Sequence, residues 1–307
     1  MNDAGITVDI DREHCNGCGL CVEACPATTL SLVDGRAAVT GSRCIACGHC
    51  LAICPPEAIR VGALDPAAAA FQTVRVPDSW LSYGEGDATA LLQLMRSRRS
   101  CRRFREEPVD RAVLEDLVRA GRAAPSGTNS QCWAFTVLPN RAAVKEFGNS
   151  IGAYFKRLNR LAEKPAVRGL LRLLGKPELS DYYRQHYPTV RRALTEWDEL
   201  GVDRLFHGAP AAIIVASAPG GSTPAEDALL ATQNILLAAH VLGLGTCLIG
   251  FAVAAMPQDA RIQQRLGLPP QEAVRAVIAL GPTDRKFARC AGRKPATVRW
   301  LDDLSVG

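Results

Sequence analysis

Two short runs of cysteine share one spacing, C-x2-C-x2-C-x3-C-P, and extend from Cys15 to Pro26 and from Cys44 to Pro55. Three thiolates at this spacing surround three corners of an iron–sulfur cubane, while the fourth cysteine, which precedes the proline, ligates the other cluster. The predicted ligand sets are therefore crossed between the runs. One [4Fe–4S] cluster is held by Cys15, Cys18, Cys21 and Cys54. The other is held by Cys44, Cys47, Cys50 and Cys25.

Zinc is the alternative metal for these runs, because paired C-x2-C units also form tetrahedral zinc sites. Zinc requires neither the third cysteine of each run nor the Cys-Pro step that ends it, so the pattern favours iron–sulfur clusters. Eight of the twelve cysteines lie in the runs, which indicates metal or redox chemistry rather than a disulfide framework. The other four are Cys101, Cys132, Cys247 and Cys290.

Two later segments carry side chains that suit an anionic, planar cofactor. The first is an arginine-rich run that includes Arg98, Arg99, Ser100 and Arg102, and guanidinium groups bind oxyanions through paired hydrogen bonds. The second, residues 124–135, offers close backbone approach and amide hydrogen bonds to a flat ring. For the arginine run alone, a basic helix end that complements the helix dipole is an equal alternative.

These groups must be positioned by more than one domain, because 307 residues exceed a typical single core. Residues 63–88 combine small residues, glycine and proline without a sustained period, which is typical of a linker. The predicted domains are residues 1–62 and 89–307. A helix is predicted from Ala88 onward, because apolar residues recur there at helical spacing.

The C-terminal half contains two further segments with small residues at defined places. A long apolar helix is predicted from Asp227 to Leu242, and a glycine-rich turn, Gly243–Phe251, follows it. Residues 276–282 indicate a central strand and turn. The basic residues that come after this strand include Arg293 and Lys294.

The formal charge of +5 is unevenly distributed, since residues 1–65 carry −4 and the remainder carries +9. The basic stretch 155–204 is interpreted as a solvated helical face, because no groove-reading motif accompanies it. The N-terminus lacks the apolar segment of a signal peptide, and no stretch is apolar for long enough to cross a bilayer. We therefore expect a cytoplasmic protein without nucleic-acid or membrane partners.

Residues 1 to about 65 resemble the bacterial two-[4Fe–4S] ferredoxins, and the resemblance rests on both complete cysteine motifs. It implies a small α+β fold with internal pseudo-two-fold symmetry. The repeat is visible in the apolar residues after each run, at 30–32 and 58–61. This domain is expected to carry electrons rather than to make bonds.

Residues 90 to about 300 resemble the FMN-dependent nitroreductase family. Four segments occur in the family's order: R-R-S-x-R-x-F, P-S-x-x-N-S-Q-x-W, G-L-G-T-x-x-I-G-F and a late R-K-P. The resemblance implies an α+β sandwich with a largely antiparallel sheet. It also implies a homodimer with FMN at the subunit interface.

The same resemblance implies which residues contact the flavin. The phosphate, ribityl chain or ring is expected to meet Arg98, Arg99, Ser100 and Arg102. The ring and ribityl edge are expected to meet Pro125, Ser126 and Asn129. Backbone N–H groups near Ile249 and Gly250 are expected to face flavin N5, and Arg293 and Lys294 to bind phosphate. The alternative for Asn129 is a structural role, in which its side-chain amide forms hydrogen bonds with the backbone of its own turn.

The chain departs from the family pattern at Cys132, which stands where the family usually has proline. Cys101 and Cys247 also lie beside the expected flavin, and all three cysteines are interpreted as packing residues. Residues 151–206 are helical, basic and aromatic, and in the family this region covers the flavin. Within and just beyond it, His186 and His207 are the candidate proton donors near neutral pH, with structural roles as the alternative.

The function that these features predict is that of an iron–sulfur flavoprotein oxidoreductase. Electrons would pass from two [4Fe–4S] clusters to FMN and then to a small conjugated acceptor of nitro, quinone or enone type. The expected donor is a ferredoxin-type protein, because no nicotinamide-binding glycine fingerprint is present, but direct use of NAD(P)H remains open. The alternatives are a non-catalytic electron-transfer or redox-sensing component and, more weakly, a flavin-free binding module.

Overall fold

The N-terminal part of the chain consists of two β-ribbons and two one-turn helices in a computed structural model that describes residues 8–302. Both ribbons are antiparallel. One ribbon pairs β1 (Val8–Ile10) with β4 (Ile59–Val61). The other pairs β2 (Leu30–Val33) with β3 (Arg36–Val39). The helices are α1 (Leu20–Glu23) and α2 (His49–Ala52).

Each one-turn helix begins directly after a glycine in the left-handed conformation, Gly19 at φ 79° and Gly48 at φ 74°. Glycine adopts this conformation without a steric penalty, so the chain can turn sharply between the second and third cysteines of each run. The two halves repeat the same order of cysteine loop, short helix and strand. The ferredoxin-like α+β fold with repeated halves is thereby confirmed.

The segment between residues 62 and 87 is mostly exposed, and it contains the short 3₁₀ helix Pro66–Ala69. It lies against the second domain through Asp116, a buried residue of α4 (Arg111–Arg122). The Asp116 carboxylate accepts hydrogen bonds from the backbone N–H groups of Gln72 and Thr73 at 2.8 and 2.7 Å, and from the Thr73 hydroxyl at 2.6 Å. The boundaries at 62 and 88 stay a prediction.

The second domain is organised by a four-stranded sheet in the order β5-β6-β8-β7, and the paired strands are antiparallel. Every residue of β6 is buried, which is expected for an interior strand covered on both faces. The strands are β5 (Trp133–Leu138), β6 (Ala211–Ser217), β7 (Leu244–Leu248) and β8 (Ala273–Pro282).

Helices cover both faces of this sheet and enclose two apolar cores. On one face, α4 and the long α9 (Pro224–Val241) pack over residues such as Ile213 and Ile278. On the other face, the core includes Ile214 and residues of α5. The remaining helices are α3 (Ala88–Ser97), α5 (Arg141–Ala162), α6 (Pro165–Leu173), α7 (Glu178–Gln185), α8 (Tyr187–Leu200), α10 (Gly250–Ala255) and α11 (Ala260–Arg265). The predicted α+β sandwich is confirmed.

The prediction of a glycine-rich turn over Gly243–Phe251 is wrong for most of this segment. Residues 244–248 form strand β7, and α10 begins at Gly250. Gly243 forms the turn that ends α9, with φ at 79°, whereas Gly245 lies within the strand and is needed because another chain segment packs on it. A Cβ atom at Gly245 would lie 2.8 Å from the Cβ atom of Cys101.

The exposure of helix α3 and the hydropathy of the helices complete the description of the fold. Helix α3 has no buried residue, and Leu91, Leu92 and Met95 are exposed on it. Among residues 8–302, no helix is both long enough and apolar enough to cross a membrane.

Substitution of Asp116 by alanine is expected to lower the free energy of unfolding by about 1–3 kcal/mol, because several donors lose their acceptor. Proteolysis within residues 66–87 should become faster for the same reason. The control is Asp110→Ala, since the Asp110 side chain caps no N–H group of α4. Urea unfolding and limited proteolysis check the prediction, and equal behaviour of the two variants would contradict it.

This contribution should also depend on pH. Burial acts to raise the pKa of Asp116, but hydrogen bonds from Thr73 and Gln72 outweigh it and hold the pKa below its ordinary value. A carboxylate with a lowered folded pKa stabilises the fold fully above its unfolded pKa of about 3.9, and the contribution is lost as the pH falls through the folded pKa. The difference between wild type and Asp116→Ala should therefore shrink below about pH 4.

Candidate functional site

The first of the two cysteine sets is assembled around Cys21, which is buried. Burial, followed by the negative charges of Cys54, Cys15 and Cys18, raises the pKa of the Cys21 thiol. These four residues belong to the set predicted for one cluster, and Cys54 comes from the second run. The structure therefore brings the crossed set together.

The second set is assembled in the same way around Cys50. Burial, and then the charges of Cys47, Cys25 and Cys44, raises the pKa of the Cys50 thiol. All four residues line one cavity. Here Cys25 comes from the first run, so both crossed sets are present in the fold.

The thiols also receive backbone N–H groups, which is what a bound cluster requires of its surroundings. Ala46 N–H donates to the Cys44 sulfur at 3.3 Å, and Thr29 N–H donates to the Cys25 sulfur at 3.3 Å. In the described part of the chain, no three His, Cys, Asp or Glu side chains converge closely enough to hold a metal ion. The two sets of four thiols fit iron–sulfur clusters, whose corners are spread more widely than the ligands of one ion.

A group of arginines in the second domain has no acidic partner. Burial, and then the charges of Arg293 and Arg99, lowers the pKa of Arg98, so both of these guanidinium groups lie near that of Arg98. Within residues 8–302, no carboxylate forms an ion pair with Arg98, Arg99, Arg102 or Arg293. Neighbouring cations that lack counter-ions fit an anionic ligand such as a phosphate group.

The arginine run is held in place by strand β7. Ser100 forms a parallel bridge with Thr246, and Cys101 N–H donates to the Thr246 carbonyl at 2.7 Å. The C-terminal segment is brought to the same place, since the Ser97 hydroxyl and the Cys290 sulfur lie 3.5 Å apart. Arg98 and Arg293, which are distant in sequence, therefore meet beside one strand.

The turn at residues 126–131 is built around a buried carboxylate. Asp227, in the first turn of α9, accepts hydrogen bonds from Gly127 N–H at 3.0 Å, the Thr223 hydroxyl at 3.0 Å and the Ser130 hydroxyl at 3.3 Å. A Cβ atom at Gly127 would collide with the hydroxyls of Ser222 and Thr223. A larger residue at this position would displace those hydroxyls, one of which donates to Asp227.

Three non-glycine residues in this turn have positive φ, Thr128 at 52°, Asn129 at 53° and Gln131 at 48°. Such conformations cost free energy and cluster at functional sites, where the surrounding structure imposes them. The Asn129 amide donates to the carbonyl oxygens of Ile45 at 3.2 Å and Ala46 at 2.9 Å. The predicted flavin residue thus has its amide directed at the loop of the second cysteine run.

A cavity of about 630 Å³ is lined by Arg102 and by Cys247, and Cys247 lies near enough to Arg98 for its charge to act on the Arg98 pKa. Its aromatic wall is centred on Phe155, whose ring lies 5.0 Å from that of Tyr154, 6.3 Å from that of Tyr182 and 5.6 Å from that of Phe251. The polar and backbone part of the lining includes Arg102, His186, His207, Cys247, Ile249 and Gly250. An apolar wall with a few polar groups is typical of a small-molecule pocket.

Both candidate histidines line this cavity, but their surroundings differ. His186 is exposed, and its ring meets that of Phe251 edge-on at 6.0 Å. His207 is half-buried at φ 58°, and burial lowers its pKa although the charge of Asp203 acts in the opposite direction. His207 is therefore neutral near pH 7.

The predicted flavin residues occupy three places in the second domain. Arg98, Arg99, Ser100, Arg102 and Arg293 lie with β7, and Ile249 and Gly250 lie at the start of α10. Lys294 is exposed beside Arg293. Pro125, Ser126 and Asn129 belong to the Asp227 turn.

Sequence reasoning missed Asp227 as the anchor of this turn, because an aspartate at the start of a helix is common and carries no further signal. The three scattered cysteines are engaged in packing contacts. Cys101 and Cys247 are buried, and the Cys101 thiol donates to the Arg103 carbonyl at 3.1 Å. The Cys132 thiol donates to the Ser130 carbonyl at 3.4 Å.

Comparison with known proteins identifies both parts of the chain. The family model described as the nitroreductase family matches residues 95–282, and a 4Fe-4S dicluster domain model matches residues 7–55. The chain is 29% identical to an NADH dehydrogenase of Thermus thermophilus over 60% of this chain and 82% of that protein. It is 28% identical to a chloronitrobenzene nitroreductase of Comamonas testosteroni over 64% of this chain and 87% of that protein.

The fold is shared with solved structures. A nitroreductase with bound FMN from Bacteroides fragilis superposes with a TM-score of 0.51 at 21% identity, covering 69% of this chain and 98% of that one. At this identity the likeness concerns the fold alone.

Replacement of Asp227 by alanine is expected to lower the free energy of unfolding by about 2–3 kcal/mol, because three donors lose a buried anionic acceptor. Amide hydrogen exchange in residues 126–131 should become faster. Glu226→Ala is the matched control, since Glu226 is the exposed neighbour on the same helix turn. If both variants unfold at the same urea concentration as the wild type, Asp227 does not anchor the turn.

Proposed function

The chain belongs to the nitroreductase family, and from that premise we propose that it is an iron–sulfur flavoprotein oxidoreductase. In this proposal, electrons pass from two [4Fe–4S] clusters to FMN and then to a small conjugated organic acceptor. The observation that carries the proposal is the aromatic cavity beside a group of arginines without acidic partners. A pure electron carrier needs no such cavity, so this observation favours an enzyme over a non-catalytic electron-transfer or redox-sensing component.

The residues that would hold FMN fall into three groups by chemistry. Arg98, Arg99 and Arg293, with Lys294 beyond them, supply charge for the phosphate. Ser100 and Arg102 would meet the ribityl chain or ring, and Pro125, Ser126 and Asn129 belong to the turn at its edge. The backbone N–H groups near Ile249 and Gly250 would face N5. When bound, FMN supplies two-electron transfer to the acceptor and one-electron exchange with the clusters.

The acceptor is proposed to be a planar conjugated molecule of nitro, quinone or enone type. Phe155 and its aromatic neighbours offer stacking faces to such a ring, and the cavity is of the size that small ligands occupy. The resemblance to the chloronitrobenzene nitroreductase of Comamonas testosteroni supports a nitro compound among these acceptors. His186 and His207 are the candidate proton donors, because both line the cavity. His186 is the favoured one, since burial lowers the pKa of His207 and disfavours its protonated form.

The donor is proposed to be a ferredoxin-type protein that reduces the clusters. The N-terminal dicluster domain would have no evident use if a nicotinamide reduced the flavin directly. The resemblance to the NADH dehydrogenase of Thermus thermophilus supports the alternative donor, NAD(P)H. A reducing, cytoplasmic setting belongs to the same proposal, because all twelve cysteines are free thiols.

A homodimer is also part of the proposal. Exposed apolar side chains on α3 and near the C-terminus give one chain an uncovered surface, and surfaces of this kind mark protein interfaces. They include Leu91, Leu92, Met95, Val298, Trp300 and Leu301. A second copy covering this surface would lie close to the arginine group, because Ser97 ends α3 directly before Arg98.

Arg98→Gln is expected to weaken FMN binding about 10- to 100-fold, because a charge-assisted hydrogen bond to phosphate contributes about 1.5–3 kcal/mol. The iron content should not change, since the cysteine sets lie in the other domain. Arg103→Gln is the matched control, because its side chain is exposed in the same run and makes no ion pair among the described residues. Titration of the deflavinated variants with FMN measures the effect, and wild-type affinity in Arg98→Gln would contradict the assigned role.

The protein purified without oxygen should contain about eight irons, eight sulfides and one FMN per chain. A reduced ferredoxin-type donor should bleach the cluster and flavin absorption, and NADPH alone should not bleach the flavin. Visible spectra during separate additions of each donor test this expectation. If NADPH bleaches the flavin directly, the ferredoxin domain would instead pass electrons out of the protein or sense the redox state. The non-catalytic alternative would then be favoured.

A further inference from the structure

One side chain of the second domain forms hydrogen bonds with the ferredoxin domain. The Asn129 amide donates to the carbonyl oxygens of Ile45 and Ala46. Among the hydrogen bonds and ion pairs of residues 8–302, these two are the ones that join residues 8–61 to residues 89–302. Asn129 therefore supplies the direct hydrogen bonds between the two domains, in addition to the segment at residues 62–87 that packs on α4.

The contact lies directly on the wall of one cluster site. Ile45 and Ala46 line the same cavity as Cys44, and Ala46 N–H donates to the Cys44 sulfur. Ala46 has positive φ at 49°, which is unfavourable for a residue other than glycine and must be imposed by its surroundings. The Asn129 amide is one partner that holds this strained loop.

The equivalent loop of the first run faces a different partner. Gly17 stands two residues after Cys15, as Ala46 stands two residues after Cys44. A Cβ atom at Gly17 would collide with the carbonyl oxygen of Gly35, so this loop packs on the β2–β3 ribbon of its own domain. The two repeats thus differ in that only the second presents this loop position to Asn129.

The other end of the contact is rigid. The Asn129 Oδ1 atom accepts from Gln131 Nε2 at 3.2 Å, and Gln131 N–H donates to the Ser126 hydroxyl at 3.1 Å. The turn is tied to α9 by Asp227. Asn129 therefore presents its donors from a fixed frame, next to the place proposed for the flavin edge.

We propose that Asn129 is a positioning residue that docks the cluster held by Cys44, Cys47, Cys50 and Cys25 against the flavin site. This inference rests on the proposed function. It adds that electrons reach FMN through this cluster and not through the other one. Each passage moves one electron from this cluster to FMN. Two passages, with two protons from solvent, complete the reduction of FMN, and a low-potential one-electron donor re-reduces the clusters.

Asn129→Asp is the variant that tests the proposal. Aspartate keeps the size of the side chain and tolerates positive φ, but it replaces the N–H donors with an oxygen that the two carbonyls repel. Thr128→Ala is the matched control, because the Thr128 hydroxyl donates to the adjacent Gly127 carbonyl and does not reach the cluster loop. Cys44→Ser, which alters a proposed ligand of the docked cluster, gives the rate at which dithionite reduces FMN without that cluster.

Three measurements are made on the full chain with its cofactors. Hydrogen exchange in residues 44–48 should become faster in Asn129→Asp. Reduction of FMN after rapid mixing with dithionite should slow by about tenfold or more, because two hydrogen bonds are lost and electron transfer weakens steeply with distance. A redox titration followed by electron paramagnetic resonance should show a shift in the potential of one cluster and none in the other, since water reaches only the released loop.

Each outcome decides between docking and its alternatives. Wild-type exchange and wild-type rate in Asn129→Asp would overturn the proposal. Rates are compared per bound FMN, because Asn129 is also a proposed flavin contact. Loss of FMN together with wild-type exchange in residues 44–48 would overturn the docking role and leave Asn129 as a flavin contact only. If the wild-type clusters pass no electrons to FMN, the proposed function fails, whereas the exchange of residues 44–48 still decides whether Asn129 holds the loop.

Discussion

The carboxylate of Asp227 is 2% exposed, and a charge in that position persists only if hydrogen bonds replace the water that it has lost. Gly127, Thr223 and Ser130 supply those hydrogen bonds, so the start of α9 determines the path of the turn at residues 126–131. The positive φ angles within the turn follow from that path. The direction of the Asn129 amide, toward the loop of the second cysteine run, depends in turn on this buried charge.

The other buried aspartates also have partners for their charge, whereas one group of arginines has none in the described part of the chain. Buried aspartates such as Asp203 and Asp259 are paired with arginines, and these pairs hold loops in place. Arg98 and Arg293 are left without such partners beside an aromatic cavity. Cations that lie close together repel one another, and an anionic ligand offsets this repulsion. The phosphate group of a cofactor is such a ligand.

Much of this arrangement was predictable from the sequence. The crossed cysteine sets follow from the C-x2-C-x2-C-x3-C-P motif, because the cysteine before the proline of each run ligates the other cluster. The sandwich and its helices follow from apolar periodicity and family motifs. The conformation of residues 244–248 was not predictable, because glycines near another segment are indistinguishable from turn glycines without the fold. The contact of Asn129 with Ile45 and Ala46 was also hidden, since it joins loops more than eighty residues apart.

The two repeats of the ferredoxin domain have identical cysteine spacing, so any functional difference between them must come from packing. In the first repeat, Gly17 is pressed against Gly35 within the domain, and no side chain fits between them. In the second, Ala46 keeps a side chain and a strained backbone, and its carbonyl accepts the Asn129 amide. Because Cys25 of the first repeat belongs to the ligand set beside Ala46, both repeats support the docked site. An asymmetric contact thus distinguishes two cysteine sets whose spacing in the sequence is identical.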